Sequence, residues 1–337
     1  MKVCLYGAGA LGGFIGAQLG RVGCELSAVE VGRTLDALQE QGLRVQMKDD
    51  VLRQPINATD NPAALGPQDL IVLAVKGPTL VQIAKQIVPL IGPETVILQS
   101  MNGLPWWFFD GFGGKYAGLR LESVDPGGVV GTALSTRHVI GCVVHGGFSS
   151  IEPGLVRNNA GKRLIVGEPD GSDSKRLREL AALLTEAAFE VEVSHRIQYD
   201  IWYKLWGNMT MNPVSSFTGA TLDLILDDPL VTRFCLNVME EAKRIGAKFG
   251  CVINESGEDR NAVTRELGAF KTSMLQDVEA GRPLELDSFL TVVREIGGKV
   301  GEPTPNMNIL LGLARLHAQV RGLYPRSEDA LRGHEYR

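Results

Sequence analysis

Short apolar runs alternate with stretches of helical periodicity along the first half of the chain. Residues 2–6, K-V-C-L-Y, read as a short buried strand, and Phe14–Val22 has helical character. Glu25–Glu30 is a second strand, Leu35–Gln41 a helix, and Leu43–Gln46 with Val51–Ile56 a small hairpin. The run D-L-I-V-L-A-V at Asp69–Val75 is apolar without interruption, as in a parallel strand covered on both faces. A helix over Leu80–Leu90 and a strand over Thr95–Gln99 continue the pattern. Arg137–Val144 is a strand, and Leu155–Asn158 and Arg163–Val166 read as a hairpin on either side of N-A-G-K. Ser172–Ala188 is an amphipathic helix with Leu177, Leu180, Leu183 and Leu184 on one side, and Val191–Val193 is a last short strand. After His195 the alternation stops. Helical patterns fill Gln198–Met211, Pro229–Phe249, Glu255–Ala280, Glu285–Val300 and Pro305–Val320. The expected fold class is α/β: an N-terminal Rossmann-type doubly wound domain over 1–194, followed by an all-helical C-terminal domain over 195–325 and a polar tail over 326–337.

Composition narrows the function classes. With 337 residues there is room for two domains, and 44% hydrophobic against 22% charged residues excludes wholesale disorder. A net charge of −5 gives no electrostatic case for nucleic acid or an anionic membrane surface. No apolar run reaches the ~20 residues of a membrane span, and no signal peptide precedes the first strand. The cysteines (Cys4, Cys24, Cys142, Cys235, Cys251) are odd in number and contain no C-x-x-C, which favours reduced thiols in a cytoplasm over a disulfide scaffold or a zinc site. The histidines show no metal-ligand spacing, so no metal is expected.

Gly7-Ala8-Gly9-Ala10-Leu11-Gly12 follows the first strand at once and opens a helix. This is G-x-G-x-x-G in the context that its chemistry requires. Glycines let the backbone turn sharply and approach a pyrophosphate, and the helix N-terminus supplies unpaired N–H donors. Glu30 ends the second strand 18 residues after Gly12. An acid there accepts hydrogen bonds from ribose hydroxyls and repels a 2′-phosphate, which favours NAD; Arg33, if it turns inward, could pair with such a phosphate.

Lys76 and Asn102 each follow the carboxyl end of an expected strand, where ligands of open α/β sheets lie. Beyond Asn102, Leu104–Asp125 contains P-W-W-F-F-D-G-F-G-G-K-Y, six aromatics within eleven residues mixed with glycine. Such a segment reads as a hydrophobic flap over the site, as a patch for another subunit, or as core filling.

The second domain opens with W-Y-K-L-W-G-N-M-T-M-N-P at Trp202–Pro213. Lys204, Asn208 and Asn212 are spaced i, i+4, i+8, so on a helix they drift only about 80° and share one face. Trp202, Leu205, Trp206 and Met209 put apolar bulk beside and behind them. One ammonium and two carboxamides in such a setting suit a site that holds a small polar molecule and hands it a proton. Ser273, in K-T-S-M-L-Q-D, and Glu285, in R-P-L-E-L-D, are the other polar groups of interest. Glu285 near a helix start either complements the dipole, binds a substrate hydroxyl, or holds Lys204 in place.

G-A-G-A-L-G at 7–12, the strand ending in Lys76, N-G at 102–103, K-L-W-G-N-M-T-M-N-P at 204–213, S-M-L-Q-D at 273–277 and E-L-D at 285–287 occur in one order. In this the chain resembles the ketopantoate reductases (2-dehydropantoate 2-reductases) over nearly its whole length. The resemblance implies reduction of a 2-keto acid by hydride from NADPH, as in pantothenate biosynthesis. It implies Lys204 as general acid, Asn208, Asn212 and Ser273 on the substrate's carboxylate and hydroxyls, and Glu285 on the substrate side as a further catalytic group. It also implies Asn102 and Lys76 near the nicotinamide and keto group. Two departures stand out. The family's arginine after the second strand is replaced by Val31 beside Glu30, which leans toward NAD(H) as the alternative to NADP(H). The aromatic segment is longer and more apolar than usual, which suits a bulkier 2-keto acid. A β-hydroxyacid dehydrogenase and a non-catalytic dinucleotide sensor are the other readings. The expected partner is a small 2-keto acid, with a homodimer possible.

Overall fold

The computed structural model describes residues 1–326. The chain divides into two compact units, Met1–Ile201 and Trp202–Arg337. The division falls inside a helix, later than the expected boundary at 194, because the chain enters the helix before it leaves the first unit. The expected tail 326–337 lies, apart from Arg326, outside the described residues.

The first unit is Rossmann-like. Strands β1 (Lys2–Tyr6), β2 (Glu25–Val29), β3 (Leu43–Gln46), β4 (Val51–Gln54), β5 (Asn57–Thr59), β6 (Gln68–Leu73), β7 (Ile91–Gln99), β8 (Val139–Glu152), β9 (Leu155–Gly167) and β10 (Glu190–Val193) form one mixed sheet. Its order is β4-β3-β9-β8-β7-β6-β1-β2-β5, with β10 also paired to β9. β1 sits between β6 and β2, all parallel, so the strand order reverses around it. That reversal opens the crevice in which doubly wound folds bind ligands. Helix α1 (Ala10–Arg21) follows β1, α2 (Gly32–Gln41) follows β2, α3 (Gly77–Ile83) follows β6, α4 is a single turn at Val129–Ala133, and α5 (Lys175–Glu186) precedes β10. Alternate residues Val3, Leu5, Leu70 and Val72 pack with Ile15 and Leu19 of α1 and Leu177 and Leu184 of α5. Each such side chain contributes roughly 1.5–3 kcal/mol on full burial.

Two expectations for this unit are corrected. Leu155–Asn158 and Arg163–Val166 are not a hairpin but parts of the single strand β9, antiparallel to β8. The turn lies earlier, at Pro153–Gly154, with Gly154 at φ +71°. Gly161, at φ +61°, sits where the β8–β9 register shifts near His145 and Gly147; it makes a bulge rather than a turn. The aromatic segment is core filling at its start, not a flap. Trp106, Trp107, Phe108 and Phe109 are buried. The Trp107 ring lies so close to Gly141 that a Cβ there would approach it to 2.7 Å. Phe108, Phe109 and Phe112 pack with ring centroids 5.0 to 5.7 Å apart. The exposed residues come later, around the glycines 111, 113 and 114.

The second unit is helical. It contains most of α6 (Ile197–Thr218), then α7 (Leu222–Asp227), α8 (Pro229–Phe249), α9 (Gly257–Arg265), α10 (Ser273–Glu279), α11 (Val292–Val300) and α12 (Pro305–Val320). A π turn at Asp287–Thr291 runs straight into α11. Sequence punctuation sets these bounds. Asp228 accepts the N–H groups of Leu230 and Val231 ahead of Pro229, and Gly250 ends α8 in the left-handed region. The expected helix Glu255–Ala280 is two helices. Gly268 at φ +60° follows the first, and the Thr272 hydroxyl caps the second by accepting from Leu275 N–H.

Candidate active site

In the first unit the glycine turn has the backbone that its residues dictate. Gly7 is at φ +94°, and a Cβ on it would lie 3.0 Å from the Ala74 carbonyl oxygen. A Cβ on Gly12 would lie 2.1 Å from the Gly7 carbonyl oxygen and 2.9 Å from Ala74 Cβ. The first turn of α1 therefore lies against Gly7 and Ala74 only because position 12 has no side chain. Gly9 differs: nothing in the protein lies within 4 Å of its Cβ position. It is also the N-cap of α1, gives no side-chain cap, and the first turn holds no acid. Open space above uncapped helical N–H groups is the setting that a pyrophosphate fits.

Glu30 follows β2 and turns its carboxylate to this loop, accepting from Ala8 N–H. Burial pushes its carboxyl up, and the N–H groups of Ala8 and Val31 pull it back down. Val31 beside it is 71% exposed. Arg33, in the first turn of α2, is exposed. The N-cap position of α2 is Val31, which offers no side chain to the helix.

Lys76 and Asn102 follow strands that end at the same sheet edge. β6 and β7 pair in parallel with Leu73 opposite Gln99. Lys76 and Asn102 each come three residues later, so both emerge at the carboxyl end of the sheet beside the reversal at β1. Both are half-buried, and Lys76 is the N-cap residue of α3 with no cap bond from its side chain. The sheet thus gathers Gly7–Gly12, Glu30, Lys76 and Asn102 along one rim.

In the second unit, α6 carries Lys204, Asn208 and Asn212 on one stripe. Lys204 and Asn208 are half-buried and Asn212 is 6% exposed. Trp202, Leu205, Trp206 and Met209 are buried beside them. Trp206 Nε1 donates to the Met239 carbonyl at 2.9 Å, which locks the back of α6 onto α8. Pro213 lies inside α6 and has no N–H to give the Met209 carbonyl. Ser273 is exposed as the first residue of α10, and Glu285 is half-buried just ahead of the π turn. π turns inside helices recur at functional sites.

The second unit also holds polar groups that the sequence does not single out. The Arg260 guanidinium lies flat on Gly207, where a Cβ would meet it at 2.9 Å, and sits 5.6 Å from the Tyr203 ring centroid. Tyr203 in turn donates its hydroxyl hydrogen to Glu255. Asp287, in the E-L-D segment, is pushed up by burial and accepts from the Tyr324 hydroxyl at 2.8 Å. The Gly in W-G-N was the one available signal for the Arg260 contact, since nothing local marks a partner so far along the chain.

Two family descriptions match the chain: "Ketopantoate reductase PanE/ApbA" over residues 3–106 and "Ketopantoate reductase PanE/ApbA C terminal" over 196–318. A 2-dehydropantoate 2-reductase of Mesorhizobium japonicum is 40% identical over 325 residues, covering 96% of this chain and 100% of the relative. A crystal structure from Ralstonia solanacearum MolK2, provisionally named a ketopantoate reductase, is 55% identical with a TM-score of 0.93, covering 96% of this chain and 99% of that one. The 2-dehydropantoate 2-reductase of Geobacter metallireducens GS-15 superposes with a TM-score of 0.80 at 25% identity, covering 94% and 99%.

Proposed function

The chain belongs to the ketopantoate reductase family, and on that premise we propose that it reduces the keto group of 2-dehydropantoate to a hydroxyl, with NADPH as reductant. The observation that carries the reading is the stripe on α6, one ammonium and two carboxamides backed by buried indoles. A dinucleotide fits the first unit at Gly7–Gly12, where the space over Gly9 is open and the helix N-terminus is uncapped. When bound, that coenzyme supplies the hydride.

As the carbonyl carbon is reduced, its oxygen gains negative charge. The Lys204 ammonium stabilises that charge and then donates its proton to it. Asn208 and Asn212 offer amide N–H donors along the same stripe for the substrate's oxygens, and the Ser273 hydroxyl serves its carboxylate. Glu285 accepts from a substrate hydroxyl. Lys76 and Asn102, at the same rim of the sheet, orient the reacting end of coenzyme and keto group. The burial of Trp106–Phe109 in the first unit's core removes the reason to favour a bulkier apolar substrate.

For the coenzyme, Glu30 and Arg33 compete at the ribose. The Glu30 carboxylate is held by loop N–H groups, whereas Arg33 is exposed at the start of α2. That supports NADPH, with Arg33 on the 2′-phosphate in place of the arginine that Val31 replaces. Cys4, Cys142, Cys235 and Cys251 are buried and none of the five cysteines is in a disulfide, which suits a reducing compartment, and we assign the protein to the cytoplasm. Among the described residues no helix is long and apolar enough to cross a membrane.

The test is to mix the purified protein with 2-dehydropantoate and NADPH, then NADH, and follow the nicotinamide absorbance. Substrate-dependent loss of absorbance, faster with NADPH, is expected; no loss with either coenzyme contradicts the assignment.

A further inference from the structure

Helix α12 presents two apolar faces, and only one belongs to the fold. Met307, Leu310, Leu311, Ala314 and Ala318 are buried in the second unit. On the other side Ile309, Leu313, Leu316 and Val320 are 55%, 50%, 60% and 68% exposed. Their spacing is four, three, four, the repeat of a coiled-coil seam. Gly312 adjoins the seam, and nothing lies within 4 Å of its Cβ position. Together these side chains expose on the order of 400 Å², at the size where an apolar patch on a monomer signals a partner. The other exposed aliphatics among the described residues of the unit, Leu224, Leu230, Val252, Val263 and Leu267, are spread over three helices and the segments that join them and form no such row.

The order of residues identifies the partner. Read backwards, the seam is the same: β-branched Val320, then Leu316, then Leu313, then β-branched Ile309, again at four, three, four. A twofold axis between Leu313 and Leu316 would set Leu313 against Leu316 of the second copy and Ile309 against Val320. This is the self-complementarity that an isologous contact requires. Charge selects the same direction. Arg321 is exposed at one end of the seam. In an antiparallel pair the two Arg321 residues stand about 20 Å apart along the axis, whereas a parallel pair would set them side by side. Antiparallel helices also oppose their dipoles favourably. The four aliphatics supply about half of the ~800 Å² per partner of a standard interface, as its dry centre, and Pro305, Gln319 and Arg321 are placed to form the rim.

We propose that α12 is a docking surface for a second copy of this chain, joined antiparallel along Ile309, Leu313, Leu316 and Val320. Sedimentation velocity of the full chain over a concentration series is expected to give twice the monomer mass. Leu313→Glu with Leu316→Glu is expected to halve that mass while leaving the melting temperature of the monomer unit within a few degrees, since both side chains are exposed. A second measurement fixes the geometry. Leu313→Cys and Leu316→Cys variants, mixed and oxidised, are expected to join as the 313–316 heterodimer in preference to either homodimer. A wild-type monomer at every concentration, a dimer that survives the double glutamate change, or preferential 313–313 and 316–316 pairing overturns the proposal.

Discussion

A Cβ on Gly12 would lie 2.1 Å from the carbonyl oxygen of Gly7, a backbone atom that cannot step aside. Gly12→Ala must therefore push the start of α1 away from the turn and from Ala74. A loss of roughly 1–3 kcal/mol is expected, read as a lower urea midpoint with unchanged slope. Gly9→Ala is the contrasting case, because its Cβ meets no protein atom. The midpoint should stay put while coenzyme affinity falls, as seen by fluorescence titration with NADPH. If Gly9→Ala binds NADPH like the parent, the pyrophosphate does not lie there.

Arg33 carries the coenzyme preference in this reading. Arg33→Ala is expected to raise KM for NADPH about tenfold or more, the worth of one charge-assisted phosphate contact, and to leave KM for NADH almost unchanged. Equal effects on both coenzymes would remove Arg33 from the 2′-phosphate.

The carboxyl of Asp287 is raised by burial, with the Tyr324 and Thr291 hydroxyls and Arg315 pulling the other way. A raised carboxyl is neutral in both folded and unfolded chains below its free value of 3.8 and destabilises progressively as pH rises through its folded value. Asp287→Asn should therefore melt higher than the parent at pH 7, with the gap closing as pH falls toward 4. A gap independent of pH, or a lower melting point at neutrality, contradicts this.

Glu241 on α8 is 2% exposed, and its carboxylate accepts from Asn306 N–H at 2.8 Å, Asn306 Nδ2 at 2.7 Å and Met307 N–H at 2.9 Å. It does for α12 what a local cap would otherwise do. Glu241→Ala should lower stability by on the order of 3 kcal/mol, because buried N–H donors lose their acceptor. Glu241→Gln should recover part of the loss; chemical denaturation of the two variants measures both.

The parts of this protein that sequence discloses are those with local punctuation. Asp228-Pro229 and Gly250 bound α8, and Pro305 opens α12, because caps and fixed φ values act within a turn of the residue that carries them. The glycine turn was legible for the same reason. N-A-G-K does not by itself fix a turn, because Gly161 in the left-handed region serves a bulge as well as a turn, and only the partner strand decides which. Trp106–Phe109 is ambiguous in sequence because aromatic burial depends on what the rest of the sheet presents, here Gly141. For the candidate site, the placing of Lys204, Asn208 and Asn212 on one stripe of α6 follows from helical spacing. The Arg260 guanidinium on Gly207 is a contact between α9 and α6 that no periodicity encodes.

The central claim is that the Lys204 ammonium protonates the oxygen of the reduced carbonyl. Steady-state turnover of Lys204→Ala with 2-dehydropantoate, alongside its NADPH dissociation constant, tests it most directly. The expected result is a kcat lower by roughly 10²–10⁴-fold with coenzyme affinity little changed. Turnover equal to the parent's, in a variant that binds NADPH normally, would contradict it.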